Sequence, residues 1–260
     1  MLPQLRAQEA TVSMRIDLVA WGDEIPGLSI NTGKSKGKLT ALAFRYSTPM
    51  SYSGPAIMEI HQSSSGGNRR ISEPSAEEKE HELQPLVPEK SEFTYETKPR
   101  KGLALELEKR REKDTSLVAL AALPASGCRR ATVLLAPAGE GTYTAYVIDD
   151  DPSQLPLGQL RIHNLSPATI AVRCNGNQAK ELKPRETHVV SPKNGQLVYE
   201  LAYRKGDEWM MQENNIIPVR ETEQTQMIVL KSDNQFFLST DGSSGGFLQI
   251  VTLRRSQSQE

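Results

Sequence analysis

Cysteine and aromatic side chains are scarce in this 260-residue chain, and long apolar runs are missing altogether. The two cysteines, Cys128 and Cys174, stand far apart with no second Cys or His at ligand spacing, so neither a disulfide framework nor a zinc site is encoded. Cys174 falls on one strand face with Ile170 and Val172, where a free thiol behaves as a small hydrophobe. Aromatics make up 5% of residues, too few to interleave with basic clusters as a base-stacking surface. The longest apolar stretch, LVALAALP at 117–124, is well short of the roughly 20 residues that cross a bilayer as a helix, so no membrane insertion is expected. Nor does charge of one sign dominate. With 31 Lys and Arg against 32 Asp and Glu, no global field gathers nucleic acid or an anionic membrane, and no nucleic-acid partner is expected.

Helical periodicity is also sparse, and what replaces it is alternation. Val12, Met14, Ile16 and Leu18 repeat at period two, as do Leu39, Ala41 and Ala43, then Leu103, Leu105 and Leu107, then Tyr143, Ala145 and Val147, then Leu197, Tyr199, Leu201 and Tyr203. Each pattern predicts a half-buried strand. The best helix candidate, LALELEKRREKD at 103–114, fits a strand running into a charged hairpin tip better, by its Leu spacing. Gly, Asn and Pro clusters such as PAGEGT, CNGN, SPKNG and RKGDE punctuate the strands. Many short strands with regular turns predict an all-β chain of antiparallel sandwiches with roughly seven to nine strands each.

The chain also repeats itself. SINTGKSKGKL at 29–39 lies over AVRCNGNQAKEL at 171–182, and TPMSYSGPAIMEIH at 48–61 over VSPKNGQLVYELAY at 190–203, an offset of 141–143 residues. Further on, Pro124 lies over Pro218 and the offset is only 94. Two similar modules therefore differ by an insertion of 49 residues in the first copy, between Ile60 and Pro124. Composition locates it independently, since 63–101 is rich in Glu, Ser and Pro and is expected to be disordered. The expected organisation is a flexible start (1–11), a first sandwich (12–150), a short linker (151–156), a second sandwich (157–254) and a flexible tail (255–260). GQLRIHNLSP at 158–167 then becomes the first strand and corner of module two, with His163 where module one has Asp17.

The Tyr-rich strand and acidic junction GTYTAYVIDDDPSQLP, followed by LRIHNLSP, an Asn-Gly turn and a late EWMMQ strand, resemble uncharacterised exported bacterial proteins built from tandem immunoglobulin-like sandwiches. The resemblance covers most of the chain outside the insertion and implies no reaction, cofactor or ligand. It implies a periplasmic, cell-envelope or secreted setting. The opening MLPQLRAQEATVSM lacks the apolar segment of a signal peptide, but LRAQ followed by EATVSM is similar to a signal-peptide end joined to a mature start.

Candidate sites are few. His61, His81, His163 and His188 share no metal-binding spacing, and no GxSxG or phosphate-cradling glycine loop is present. Asp149, Asp150 and Asp151, consecutive at the junction, offer oxygen ligands to Ca²⁺, with Asp149 and Asp151 the weak candidates and Asp23 and Glu24 conceivable partners. The bland reading, solvated linker acids, is preferred. KSKGK, KPRKG, EKRREK and CRR (128–130) read as solvated hairpin tips. Trp21 and Trp209 read as core or interface residues. Asn164-Leu165-Ser166 reads as a hydrogen-bonded corner rather than a glycosylation site. The expectation is a non-enzymatic structural or interaction protein with no cofactor, an unknown protein or glycan partner, and Asp149, Asp150, Asp151, Arg161, His163 and Trp209 as ligand or interface candidates. Two alternatives stand beside it: a small-ligand binder or hydrolase-type enzyme with its site in the inter-domain cleft, lined by Asp149, Asp150, Asp151, Arg161, His163 and His188, and a calcium-rigidified adhesion-like module.

Overall fold

A computed structural model describes residues 11–30, 38–63, 102–124, 127–139, 141–151, 153–231 and 248–256. The first half runs β1 (Thr11–Ala20), β2 (Ile25–Ile30), β3 (Leu39–Ala43), β4 (Met50–Pro55), β5 (Ile57–Gln62), α1 (Leu103–Arg111), β6 (Leu117–Ala122), β7 (Arg130–Gly139) and β8 (Thr142–Asp149). The second runs β9 (Leu160–Asn164), β10 (Ile170–Cys174), β11 (Lys180–Leu182), β12 (Thr187–Val190), β13 (Gln196–Lys205), β14 (Glu208–Pro218), β15 (Glu223–Lys231) and β16 (Leu248–Ser256). The chain is all-β apart from α1, and each half contributes eight described strands.

The internal repeat reappears as topology. In the second half one sheet has the order β11-β10-β13-β14 and the other β12-β9-β15-β16. The first half makes the same pairings in the same senses: β3-β2-β5-β6 and β4-β1-β7-β8. Register agrees as well, for Ile30 sits opposite Ile60 as Val172 sits opposite Leu201. One pairing separates the copies. β3 also runs parallel to the end of β1, Val19 opposite Leu42 and Ala20 opposite Ala43, which joins both sheets of the first half into one eight-stranded path. Its ends, β6 and β8, lie against each other, so this half is close to a barrel.

Alternation places the cores. Val12, Met14, Ile16, Leu18 and Ala20 of β1 point inward with Ala131, Val133 and Leu135 of β7, while Leu160, Ile162, Met227 and Val229 do the same in the second half. Both Asn-Gly turns behave as their sequence dictates: Asn175-Gly176 and Asn194-Gly195 each hold two consecutive positive φ angles, at 51° and 72° and at 53° and 71°. Asn and Gly tolerate that geometry, which matches the twist of a hairpin.

At the seam, outward residues of β1, β7, β15 and β16 are buried, while Ser13 and Arg15 farther along β1 stay exposed. Val19, Trp21, Leu134, Ala136, Ile148, Ile228, Leu230 and Leu253 form one cluster, so the two modules pack sheet face to sheet face. β7 and β15 are thus buried on both sides, which is why ATVLLA and TQMIVL read as unbroken runs. The short connection between β8 and β9 therefore joins two modules that pack directly on each other.

Other expectations are corrected. The sandwiches are not wholly antiparallel: β1 pairs β7, and β9 pairs β15, in parallel. Residues 103–111 form a helix, because Leu103 and Leu107, one turn apart, pack on Ile57, Leu117 and Leu120, and Glu106 pairs with Arg110 at i,i+4. Leu105 is left exposed. The first four residues of EKRREK are therefore helical, and Arg130 of CRR is buried rather than solvated. Module two runs to Ser256, so Arg255 belongs to a strand and not to a tail. Of the expected insertion, all but Ser63 lies outside the described residues.

Because the seam is shared, both modules are expected to unfold in a single transition, and Ile228→Ala, at a fully buried seam position, lowers stability by roughly 2–4 kcal/mol. Calorimetry with urea titration checks both, and two resolved transitions would contradict the fused body.

Candidate functional site

At the seam, the polar residues that strand alternation turns outward from each module meet one another. Asp17 on β1 lies beside Thr132 and Arg130 of β7, Asp150 follows β8, and Gln226 and Arg255 come from β15 and β16. Arg130 donates from Nε to Asp17 at 2.9 Å and from Nη2 at 3.4 Å. Arg255 Nη2 donates to both Asp17 (3.0 Å) and Asp150 (2.7 Å), linking carboxylates of module one from the last strand of module two. Thr132 Oγ1 donates to Asp150 at 2.8 Å. The four charged side chains are 1–4% exposed, two negative and two positive. The Arg255 guanidinium also stacks 4.0 Å over the Tyr46 ring. Burial alone would lower the Arg255 value, but Asp150, Tyr46 and Asp17 raise it, so the guanidinium stays charged. Burial, then the Asp150 charge, pushes the Tyr46 phenol up.

The network continues to His163. Gln226 Nε2 donates to Asp150 Oδ1 at 2.7 Å, so its Oε1 is the acceptor facing His163 Nε2, also at 2.7 Å, and Nε2 carries the hydrogen. Burial depresses the His163 value to about 4 despite that bond, leaving a neutral imidazole near pH 7. His163 thus occupies the seam position that Asp17 occupies in module one, opposite Ile228 where Asp17 is opposite Thr132.

The three junction aspartates point to three different partners. Asp149 Oδ1 accepts from the Asp151 amide (3.1 Å) and the Cys128 thiol (3.2 Å). Asp150 enters the seam network, and Asp151 takes Arg129 in a two-point pair at 3.0 Å each and Ser153 Oγ at 2.7 Å. Arg129 first, then Ser153, holds the Asp151 carboxyl well below the usual carboxylate range. Asp150 and Asp151 are buried, so the reading of solvated linker acids is corrected. Among the described residues no three His, Cys, Asp or Glu side chains come together as a metal site. Arg161 staples the junction, donating to the carbonyls of Asp149 (2.9 Å) and Gln154 (2.6 Å).

Elsewhere the candidates separate. His188 lies opposite Ile162 on β12, not opposite His163, and His61 bonds Ser116 beside Asp114 and Glu59. His81 lies outside the described residues. Asp23 and Glu24 are exposed on the β1–β2 turn. Both thiols are free and buried in different cores, with burial first among the causes that push each up to about 11. Trp21 is a seam residue set edge-on to Phe44 at 5.7 Å, whereas Trp209 is exposed on β14. Asn164 is fully buried, accepting from Ser166 Oγ at 2.7 Å and donating to the carbonyls of Ala168 and Leu182, a corner with no room for a glycan.

Two clefts open along the seam. One, of about 430 Å³, takes in Tyr146, Asp149, Arg161, His163 and Arg185. The other, of about 630 Å³, takes in Asp17, Phe44, Tyr46, Arg130, Arg254 and Arg255. Sequence reasoning missed Tyr46, Arg130, Gln226 and Arg255, although Asp17 within MRIDLVAW and Gln226 within TQMIVL are polar interruptions of buried strands. With its carboxylates internally neutralised, the arrangement is suited to holding two modules and binding polar groups through guanidinium N–H donors rather than to acid–base turnover. Comparison of the chain with protein-family models finds no match, and comparison with curated proteins finds no significant similarity.

Two outcomes are expected. Between pH 6.5 and about 4 the unfolded chain binds a proton at His163 that the folded chain does not. That stability is complete above pH 6.5 and is lost as pH falls, with a slope approaching about 1.4 kcal/mol per pH unit. His163→Gln flattens the slope in urea unfolding measured from pH 7 to 5. Arg255→Met leaves Asp150 without a cation and Asp17 with Arg130 alone, and costs roughly 3–5 kcal/mol, part of which adding Asp150→Asn restores. A loss under about 1 kcal/mol by the same unfolding measurement would show that the carboxylates reach water.

Proposed function

We propose that this chain is a non-enzymatic interaction module, exported to the cell envelope or secreted, built as tandem immunoglobulin-like sandwiches fused into one rigid presenter of surface. The observation that carries this reading is an unequal treatment of equivalent faces. In module one the outer face of β5 and β6 is covered by α1, with Ile57 and Leu120 beneath Leu103 and Leu107, and Glu59 paired to Arg110. In module two the same face of β13 and β14 is bare. Val198 and Ile216, directly opposite each other, are 43% and 53% exposed, and the bulge after Leu201 brings Met211 (62%) and Trp209 (41%), opposite Ala202 and Arg204, onto that face too. Exposed apolar residues set among polar ones, here with Glu200 and Asn214 between the two apolar pairs, are how interaction surfaces look. The nearby Glu200, counterpart of Glu59, pairs instead with Arg173 of its own sheet.

A second reading, a small-ligand binder or hydrolase in the inter-module cleft, draws on Asp149, Arg161 and His163 sharing one cleft, although Asp150, Asp151 and His188 do not line it. The test sets Val198→Asp/Ile216→Asp against the parent chain. Two aspartates placed opposite each other in a strand pair are expected to cost about 1–2 kcal/mol and leave the chain folded, while a partner retained by the parent from envelope or secreted extracts is lost. Equal retention by the double variant would refute the face, and turnover abolished by His163→Gln would favour the enzyme.

A further inference from the structure

We infer that the 630 Å³ cleft beside the seam is a binding site for a small organic or inorganic oxyanion, a carboxylate or phosphate gripped by arginines from both modules. Four guanidinium groups line it, Arg45 and Arg130 from module one and Arg254 and Arg255 from module two, against the single carboxylate of Asp17. Asp17 and Asp150 neutralise Arg130 and Arg255, so the surplus positive charge is that of Arg45 and Arg254, both exposed at the rim. The inner pair is not exhausted by its ion pairs. Arg130 commits Nε and Nη2 to Asp17, and Arg255 commits Nη2 to Asp17 and Asp150. Arg255 Nε is buried with no hydrogen-bond partner among the described residues, and both side chains line the cleft.

Guanidinium forks aimed from two sides recognise an oxyanion by charge-assisted, often bidentate hydrogen bonds. The floor is already set, because the buried quartet fixes Arg130 and Arg255 before any ligand arrives, and preorganisation of this kind reduces the entropy lost on binding. Ser47 and Thr48 add hydroxyl donors to the wall, and Phe44 and Tyr46 add apolar surface. The volume lies within the roughly 300–1,000 Å³ of small-molecule sites. Since the cleft draws on both modules, a ligand there binds only the fused body and stabilises it against unfolding. The β13–β14 face takes no part, so the site stands or falls apart from the interaction reading.

The experiment is calorimetric titration of the full chain with inorganic phosphate and, separately, citrate, each at ionic strength held constant with sodium chloride. The parent chain is expected to bind one equivalent of at least one of these saturably and to melt higher in its presence. Arg45→Gln/Arg254→Gln, which removes the rim charges and spares the buried quartet, is expected to weaken that binding at least tenfold with an unchanged melting temperature in the absence of anion. Arg173→Gln, on the far sheet, is expected to bind like the parent. Phosphate without citrate, or the reverse, supports the site and names the class of anion. Absence of saturable binding by either anion, or equal affinity in parent and double variant, overturns it.

Discussion

Everything in the molecule is organised around one guanidinium. Arg255 reaches from the last strand of module two to two carboxylates of module one, and neither Asp17 nor Asp150 has water to turn to. A charge left alone there is costly, and a paired one roughly breaks even against a well-packed hydrophobe. The attraction between modules therefore comes chiefly from the apolar cluster of Trp21, Leu134, Ile228 and Leu253, while the charges set how the faces dock. A slip of β16 by one residue against β15 would turn Arg255 into the module core and bring Arg254 to the seam. Only one register satisfies Asp17 and Asp150 together, so the quartet selects the alignment that the apolar cluster alone leaves loosely specified.

Duplication supplied two copies of one topology, and their differences mark what each copy came to do. Module one spends its outer face on α1 and fastens its two sheets through the parallel β1–β3 contact. Module two leaves the equivalent face open and keeps its sheets separate. The seam position shows the same divergence in one residue. Asp17 is paired with two arginines, whereas His163 is held neutral and reaches Asp150 only through Gln226.

How much of this could be read beforehand depends on whether the physics was local. Alternation and Asn-Gly turns are local, so most strands and both hairpin corners were legible, and the repeat carried the topology from one copy to the other. Leu103, Leu105 and Leu107 fit a strand, but Leu103 and Leu107 also fit one face of a helix, and only the waiting surface of Leu117 and Leu120 decides between them. The junction aspartates looked solvated because acidic runs beside proline usually are. Their partners, Arg129 and Arg255, are 22 and 105 residues away in sequence, beyond the reach of any spacing rule. The seam itself did leave a trace. ATVLLA and TQMIVL break the alternation of half-buried strands, and such runs mean a strand covered on both sides.

The clefts follow from the same packing. Twisted sheets laid face to face stay in contact near the middle and diverge toward their corners, where strand ends and connecting segments fill the gap incompletely. The 630 Å³ cleft is lined from the segment after β3 and the end of β16, and the 430 Å³ cleft from β8, β9 and the segment before β12. Residues at such corners are freer to vary than the strands that hold them. Arg45 and Arg254 are of this kind, exposed and outside the ion-paired quartet, whereas Arg130 and Arg255 cannot change without leaving a carboxylate buried alone. The seam thus supplies a fixed cationic floor and a variable rim. That division lets a structural ion pair be elaborated into a recognition site without loosening the joint it secures.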